Sequence, residues 1–120
     1  MGCQVDSSWL IALLDSEDHH HSDAVAQFER LGLPPVFSAL VLGELLSSFE
    51  TRRREKFKRL SEAFEPVIPV DAEIAAKGAE IRVEHRLSLG DAIIIASALV
   101  HDTELLTFDK KMQSVFERLK

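Results

Sequence analysis

Residues 88–102, SLGDAIIIASALVHD, constrain the fold more than any other stretch of this chain. A helix formed by this stretch is apolar on nearly every side, so it has to be buried among other elements. Short and largely apolar segments elsewhere are typical of strands, namely CQVD (3–6), PPVFS (34–38), EPVIPVD (65–71) and TELLTFD (103–109). The sequence therefore predicts a buried helix packed against a sheet.

The segments between these strands have helical periodicity. Residues 39–64 predict a long helix that breaks near Arg52–Arg54, and the other helical segments are 7–18, 21–33, 72–87 and 110–120. Strands thus alternate with helices, and the connections are long enough for right-handed crossovers. We predict an α/β fold in a single domain over residues 1–120, with a small parallel sheet of about 4–5 strands flanked by helices on both faces.

Composition narrows the class of protein further. Of the 120 residues, 46 % are apolar and 28 % are charged, which is typical of a globular domain rather than of a disordered tail. The single cysteine, Cys3, excludes an internal disulfide framework. Because no apolar run reaches about 18 residues, we expect no membrane span and a cytoplasmic protein. The net charge of −6 argues against a simple nucleic-acid coat, but it is compatible with an acidic site that metal ions neutralise.

Four acidic residues stand beside apolar sequence: Asp6, Glu44, Asp91 and Asp109. Asp6 and Asp109 end predicted strands. Glu44 interrupts the helix that follows the strand at 34–38, and Asp91 heads the buried helix. In a parallel α/β sheet, strand ends and the helices that follow them meet at the carboxyl edge, where ligands bind. If the buried helix also begins at that edge, the four carboxylates converge there.

The chemistry of such a cluster favours a hard divalent cation. Carboxylates near apolar surface are costly unless they are paired or hold a cation, and no basic residue lies close in sequence to Asp6, Glu44 or Asp91. An all-oxygen site favours Mg²⁺ or Mn²⁺, which activate water and stabilise developing charge in phosphate chemistry. Ser8 and Thr107 each lie two residues from a strand-ending acid, so on a strand they would share its face and support the site.

Four motifs resemble the PIN-domain family, and within it the VapC-like toxins of toxin–antitoxin pairs: VDSSWLIALL, VFSALVLGELL, LSLGDAIIIASAL and LLTFDKKM. They stand in the family's order and cover nearly the whole chain. The resemblance implies a metal-dependent ribonuclease that hydrolyses RNA phosphodiesters with Mg²⁺ or Mn²⁺. It also implies that the metal-site and catalytic acids are Asp6, Glu44, Asp91 and Asp109, with Asp6 and Asp91 as the first choices for direct metal ligands. Thr107 matches a Ser or Thr that supports the pocket, and Ser8 matches a small polar position.

The resemblance also implies partners. VapC-like toxins are held inactive by an antitoxin whose tail covers the acidic pocket, and they commonly form homodimers. The first strand is very short in this sequence, and little of the chain follows Asp109. We therefore expect the last edge strand of the family to be short or absent.

Each acid also has an explanation that needs no site. Asp91 opens a helix, where the helix dipole favours a negative charge, and Glu44 would lie on a helix face turned to water. Asp109 fits a turn, and Asp6 a helix cap. Other functions stay open as well: a solitary PIN-type nuclease, a non-catalytic PIN-fold interaction module, or a phosphatase-like or receiver-like domain with Asp6 as nucleophile. The last of these lacks its second acid, because Ser8 stands at that position.

Two further runs carry charge or metal-binding groups. The basic run RRREKFKR, residues 52–59, fits either a solvated helical face or a surface that contacts RNA phosphates or an antitoxin. The contact residues would be Arg52, Arg53, Arg54 and Lys56. Consecutive residues of a helix point about 100° apart, so His19–His21 cannot all face one ion from a regular helix. We predict a solvated loop there.

Overall fold

The computed structural model of the protein describes residues 2–120, which form two strands and seven helices, with six of the helices between the two strands. The first half runs through β1 (Cys3–Val5), α1 (Ser7–Leu14), α2 (His21–Arg30), α3 (Ala39–Ser47) and α4 (Arg53–Ala63). The second half runs through α5 (Ala72–His85), α6 (Leu89–Val100), β2 (Glu104–Leu106) and α7 (Lys110–Leu119). The α/β fold and the parallel sheet are confirmed.

The sheet is parallel, and its two regular strands β1 and β2 pair so that Gln4 lies beside Leu105. On the other side of β1, Val36 forms a parallel bridge with Gln4, and farther out Ser38 bridges Ile68 in the same direction. The spatial order is therefore Ile68, the segment 36–38, β1 and β2. Two of the expected strands are reduced to single bridges, because prolines at 34, 35, 66 and 69 have no N–H with which to extend the ladder.

Helix α6 is buried as its composition predicts, with Ala92, Ile95 and Ala98 fully inaccessible to solvent. A buried pair of polar side chains ties it to β1: Gln4 Nε2 donates to Ser97 O over 3.1 Å, and Ser97 Oγ donates to Gln4 Oε1 over 2.9 Å. Since side chains alternate across a strand, Val5 faces away from α6, yet it has no exposed surface. Both faces of β1 are thus covered.

Helices α5 and α6 pack closely where glycine permits it. A Cβ added to Gly78 would lie 2.8 Å from Ile93 Cγ1 and 3.2 Å from Ile93 Cα. The predicted long helix over 39–64 is divided at Arg52, which adopts a left-handed conformation (φ 59°) just before α4 begins. Within residues 2–120, no helix combines the length and the apolar character that crossing a bilayer requires.

Candidate active site

Asp6 is the buried centre of the candidate site, with 3 % of its surface exposed. It follows β1 directly and caps α1, where its Oδ1 accepts a hydrogen bond of 3.0 Å from Trp9 N. The same oxygen accepts one of 2.8 Å from Ser8 Oγ, and Oδ2 accepts one of 2.5 Å from Thr107 Oγ1. Both carboxylate oxygens are therefore held in fixed positions by donors from two elements.

Burial is the largest influence on the pKa of the Asp6 carboxyl. Desolvation raises the pKa of the Asp6 carboxyl above its ordinary value, and the nearby negative charge of Asp109 acts in the same direction. Hydrogen bonds from Thr107, Trp9 and Ser8 oppose this rise because they stabilise the charged form. In the absence of a cation, the site thus holds a carboxylate whose charge is costly.

Asp109 lies beside Asp6 at the end of the β2 segment. Thr107 connects the two: its Oγ1 accepts a hydrogen bond of 3.0 Å from Asp109 N while it donates to Asp6. Asp109 then caps α7, with Oδ1 accepting from Lys111 N (3.0 Å) and Met112 N (3.1 Å). Asp109 is exposed, so its second oxygen is available to a ligand.

Glu44 and Asp91 approach from the other side. Ser7, the residue after Asp6, donates a hydrogen bond of 2.6 Å from its Oγ to Glu44 Oε1. Glu44 Oε2 lies 3.4 Å from the position that a Cβ on Gly90 would occupy, and Gly90 immediately precedes Asp91. Helix α6 therefore begins at the same edge of the sheet at which β1 ends.

Asp6 and Asp109 lie at the carboxyl ends of β1 and β2, Glu44 contacts Ser7, and Gly90 places the start of α6 beside Glu44. The four carboxylates do not converge on one point. Among residues 2–120, no group of three or more His, Cys, Asp or Glu side chains is arranged to hold a metal ion as it stands. Nor does any Lys, Arg or His side chain in this part of the chain lie within 4.0 Å of the four carboxylates. The negative charge of the cluster is left without a protein cation.

The four acids differ in exposure: Asp6 is buried, Asp91 is half-buried in the first turn of α6, and Glu44 in α3 and Asp109 at the cap of α7 are exposed. The structure also corrects the expected position of Ser8. Ser8 does not share a strand face with Asp6 but lies in the first turn of α1, from which its hydroxyl reaches back to the cap.

The basic run lies at the junction of α3 and α4, and several of its cations are used locally. Arg53 Nε donates to Leu46 O over 3.2 Å, and Lys56 Nζ lies 4.1 Å from the centre of the Phe49 ring. Arg59 pairs with Glu55 within α4 over 3.0 Å. Arg52 and Arg54 are exposed. No contact joins this run to the four acids.

The three histidines are more ordered than a solvated loop. His20 is half-buried and stacks on Phe108, with ring centres 4.4 Å apart and planes 2° from parallel. His21 opens α2, and its Nδ1 lies 2.7 Å from Ala12 O. Only His19 is exposed. Sequence analysis missed the stacking because His20 and Phe108 are brought together by the fold and not by spacing.

Comparisons with known proteins agree with this architecture. The sequence matches the PIN domain family over residues 4–117. A toxin–antitoxin complex from Klebsiella pneumoniae is similar in structure, with a TM-score of 0.77 and 26 % identity, over 92 % of this chain and 88 % of that one.

Two further solved structures are similar in fold. VapC20 of Mycobacterium tuberculosis, described as a Sarcin-Ricin loop cleaving toxin, has a TM-score of 0.79 and 24 % identity over 94 % of each chain. FitAcB from Neisseria gonorrhoeae has a TM-score of 0.77 and 20 % identity, over 96 % of this chain and 93 % of that one. No curated protein sequence matches the chain.

Proposed function

Because this chain belongs to the PIN domain family, we propose that it is a metal-dependent endoribonuclease that hydrolyses RNA phosphodiesters, and that it acts as the toxin of a toxin–antitoxin pair. One observation carries the proposal. Asp6 and Asp109 lie at one sheet edge with Glu44 and the start of α6 beside them, and no Lys, Arg or His nitrogen of residues 2–120 lies within 4.0 Å of the four carboxylates. Burial makes the charge of Asp6 costly. A divalent cation at this edge removes that cost.

The donor set fits Mg²⁺ or Mn²⁺. The groups that the hydrogen bonds join at the edge are carboxylate and hydroxyl oxygens, the ligand type that hard cations prefer. Asp6 and Asp91 are the proposed direct ligands, and Asp109 and Glu44 complete the set. A cation bound there supplies charge stabilisation for the phosphodiester and lowers the pKa of the attacking water.

The protein's own side chains position the proposed metal ligands. Thr107 and Ser8 fix the two oxygens of Asp6, so Asp6 keeps one geometry throughout the reaction. The carboxylate of Asp91 accepts no hydrogen bond from residues 2–120 and is free to take a ligand. Glu44 is held by Ser7 at the opposite side, where it can orient a water or a ligand.

RNA binding requires cations, which the acidic site does not offer. Arg86, Lys111 and Arg118 line a groove of about 340 Å³ between the end of α5 and α7. Lys111 lies two residues after Asp109 and Arg86 five residues before Asp91, so both cations are close in sequence to proposed ligands. We propose this groove as one path for the RNA backbone, and residues 52–56 as a second contact with RNA or antitoxin.

An antitoxin is the proposed protein partner, since the similar structures include toxin–antitoxin complexes. A groove of about 430 Å³ between α1 and α3 is lined by Ile11, Leu14, Leu45 and Phe49, and the first two are exposed apolar residues. Both helices also carry candidate site residues, Ser8 in α1 and Glu44 in α3, so the groove is formed by elements that also contribute to the site. A homodimer and a cytoplasmic location complete the proposal, the latter supported by the single free thiol of Cys3.

Cleavage of RNA by matched variants tests the proposed function. Asp91→Asn and Asp102→Asn remove the same charge at opposite ends of α6, and only Asp91 is at the end that adjoins Glu44. Because the helix dipole favours a negative charge only at the N-terminal end, urea unfolding checks that both variants fold. We expect Asp91→Asn to lose at least 100-fold in cleavage rate with Mn²⁺, about 3 kcal/mol of transition-state stabilisation, while Asp102→Asn cleaves like the wild type. Full activity of Asp91→Asn, or cleavage that persists in EDTA, would overturn the mechanism.

A non-catalytic interaction module is the second candidate. It predicts no cleavage by the wild type under any metal condition, together with binding of the same antitoxin. Co-expression with a small reading frame encoded beside this one separates a toxin from a solitary nuclease. Relief of growth inhibition supports the toxin, and growth inhibition that co-expression leaves unchanged supports the solitary enzyme.

A further inference from the structure

Three aromatic rings form a short stack that leads outward from the candidate active site. Phe108 lies between Thr107 and Asp109, His20 stacks on it in parallel at 4.4 Å, and His19 follows at 4.0 Å with its ring tilted by 40°. We name His19, His20 and Phe108 the aromatic ladder. The first ring belongs to the chain segment that holds two site residues, so the ladder is fixed relative to the acids.

The ladder is built on rigid supports at both ends. Phe108 N donates to Ser8 Oγ over 3.2 Å, and the same hydroxyl donates to Asp6. On the histidine side, Asp18 Oδ1 accepts a hydrogen bond of 2.9 Å from His20 N, and Asp18 O accepts one of 2.9 Å from His21 N. The rings are therefore preorganised, which lowers the entropy lost when a further ring joins the stack.

Exposure decides which ring is open to a ligand. His20 is half-buried between its two neighbours, whereas His19 is exposed at the outer end. The stacked rings of His19 and His20 lie in a surface turn and add little to the hydrophobic core of the protein. Through Phe108, the fold places these rings beside the acids rather than at the far edge of the sheet. A flat π-system is the chemistry that would continue such a stack.

We propose that the aromatic ladder binds an unpaired nucleobase of the RNA next to the phosphate that is cleaved. Single-stranded RNA is recognised by stacking of splayed bases on Phe, Tyr, Trp or His side chains. His19 contacts the base, and His20 and Phe108 hold His19 in position. The inference rests on the proposed nuclease function for the place of the scissile phosphate, but base stacking itself does not depend on catalysis.

Binding measured without cleavage tests the ladder separately from the activity. The probe is a fluorescein-labelled single-stranded RNA octamer in EDTA, titrated with full-length protein and followed by fluorescence anisotropy. We expect His19→Ala to weaken binding about tenfold, the loss typical of one stacked base. His101→Ala, which removes another exposed histidine at the far end of α6, is the matched control and is expected to bind like the wild type.

Two replacements separate stacking from charge. His19→Phe keeps a π-face without charge and is expected to bind like the wild type, whereas His19→Lys keeps a cation without a ring and is expected to bind like His19→Ala. A series of octamers, each with one abasic position, is expected to show a loss at one position in the wild type and at none in His19→Ala.

Several results would overturn the ladder: wild-type affinity in His19→Ala, tight binding by His19→Lys with weak binding by His19→Phe, or a wild type that binds no octamer. Loss of antitoxin binding in His19→Ala with unchanged RNA binding would assign the rings to the protein partner and would also contradict the proposal.

The nuclease function and the aromatic ladder fail in different experiments. If RNA is bound through His19 but never cleaved, only the nuclease function is wrong; if Asp91→Asn abolishes cleavage while His19→Ala binds normally, only the ladder is wrong.

Discussion

Thr107 donates a hydrogen bond to Asp6 across 101 positions of the chain, and so joins the segment that follows β2 to the residue that follows β1. The same hydroxyl accepts the N–H of Asp109. One side chain thus sets the geometry of two proposed ligands, although it touches no substrate in this account. Thr107 is therefore a positioning residue.

Replacing Thr107 by Val tests this role. The change removes a hydrogen bond to a buried carboxylate and leaves the N–H of Asp109 without its acceptor, so the free energy of unfolding should fall by about 1 to 3 kcal/mol. Loss of a group that orients a ligand should cost about 10- to 100-fold in metal affinity or activity. A higher Mn²⁺ concentration for half-maximal cleavage is the readout that a merely structural role would not move.

Thr103→Val is the matched control, because Thr103 precedes β2 and donates its hydroxyl to Ala98 O over 3.3 Å, away from the acids. It should cost about 1 kcal/mol in stability and leave the Mn²⁺ dependence unchanged. Equal Mn²⁺ dependence in the two variants would contradict the positioning role of Thr107.

Stability of the metal-free protein should depend on pH through Asp6. Because burial raises the pKa of Asp6 in the folded state, the folded protein binds this proton more tightly than the unfolded chain. The stability that the protonated Asp6 carboxyl contributes is present in full below the pKa of Asp6 in the unfolded chain. It is lost as pH rises through the higher pKa of Asp6 in the folded state. Asp6→Asn keeps an oxygen that can cap α1 but does not titrate, so its stability relative to the wild type should increase with pH.

Urea unfolding of both proteins in EDTA, at several pH values between acid and neutral, measures this difference. A stability difference that stays constant or decreases as pH rises would show that the Asp6 carboxyl is not held with a raised pKa.

The packing of α5 on α6 predicts opposite effects for two glycine replacements. Gly78→Ala places a methyl group 2.8 Å from Ile93 Cγ1, so overpacking should cost about 1 to 3 kcal/mol in spite of the better helix propensity of alanine. Gly43 lies in α3, where a Cβ meets nothing within 4 Å, so Gly43→Ala should stabilise by about 0.5 to 1 kcal/mol. Thermal unfolding measures both; effects of the same sign would contradict the close approach of the two helices.

The polar pair between β1 and α6 makes a similar prediction for two serines. Ser97→Ala removes a donor to Gln4 Oε1 and leaves a buried acceptor unpaired, which should cost about 1 to 3 kcal/mol. Ser61 Oγ is also buried but has no hydrogen-bond partner in residues 2–120, so Ser61→Ala should be neutral or stabilising. Chemical denaturation measures the free energy of unfolding of both variants. An equal loss in both would contradict the role of the Gln4–Ser97 pair in linking β1 to α6.

Much of the fold could be predicted from the sequence, because its strongest signals are local. The apolar run in α6 required burial, and the alternation of strands with helices required a parallel sheet. The length of each strand in the sheet is harder to predict from the sequence. Prolines around Val36 and Ile68 limit those segments to single bridges, and a propensity pattern marks such segments as strands without showing how many hydrogen bonds they form.

For the candidate site, the sequence predicts residues but not their surroundings. Spacing alone places Asp6 and Asp109 at strand ends and Thr107 near them. The contact of Glu44 with Ser7 depends on how α3 crosses α1, which no local pattern encodes. The stacking of His20 on Phe108 likewise depends on tertiary structure, and a run of histidines gives no signal for it.

The central proposal is that the acids Asp6, Glu44, Asp91 and Asp109 bind a divalent cation. Anomalous diffraction from crystals soaked in Mn²⁺ tests it most directly, with Asp91→Asn crystals as the comparison. The account predicts an anomalous peak in the wild type in contact with carboxylate oxygens of Asp6 and Asp91, which is lost or strongly reduced in Asp91→Asn. A wild-type peak elsewhere, or no peak at a Mn²⁺ concentration that supports RNA cleavage, would contradict it.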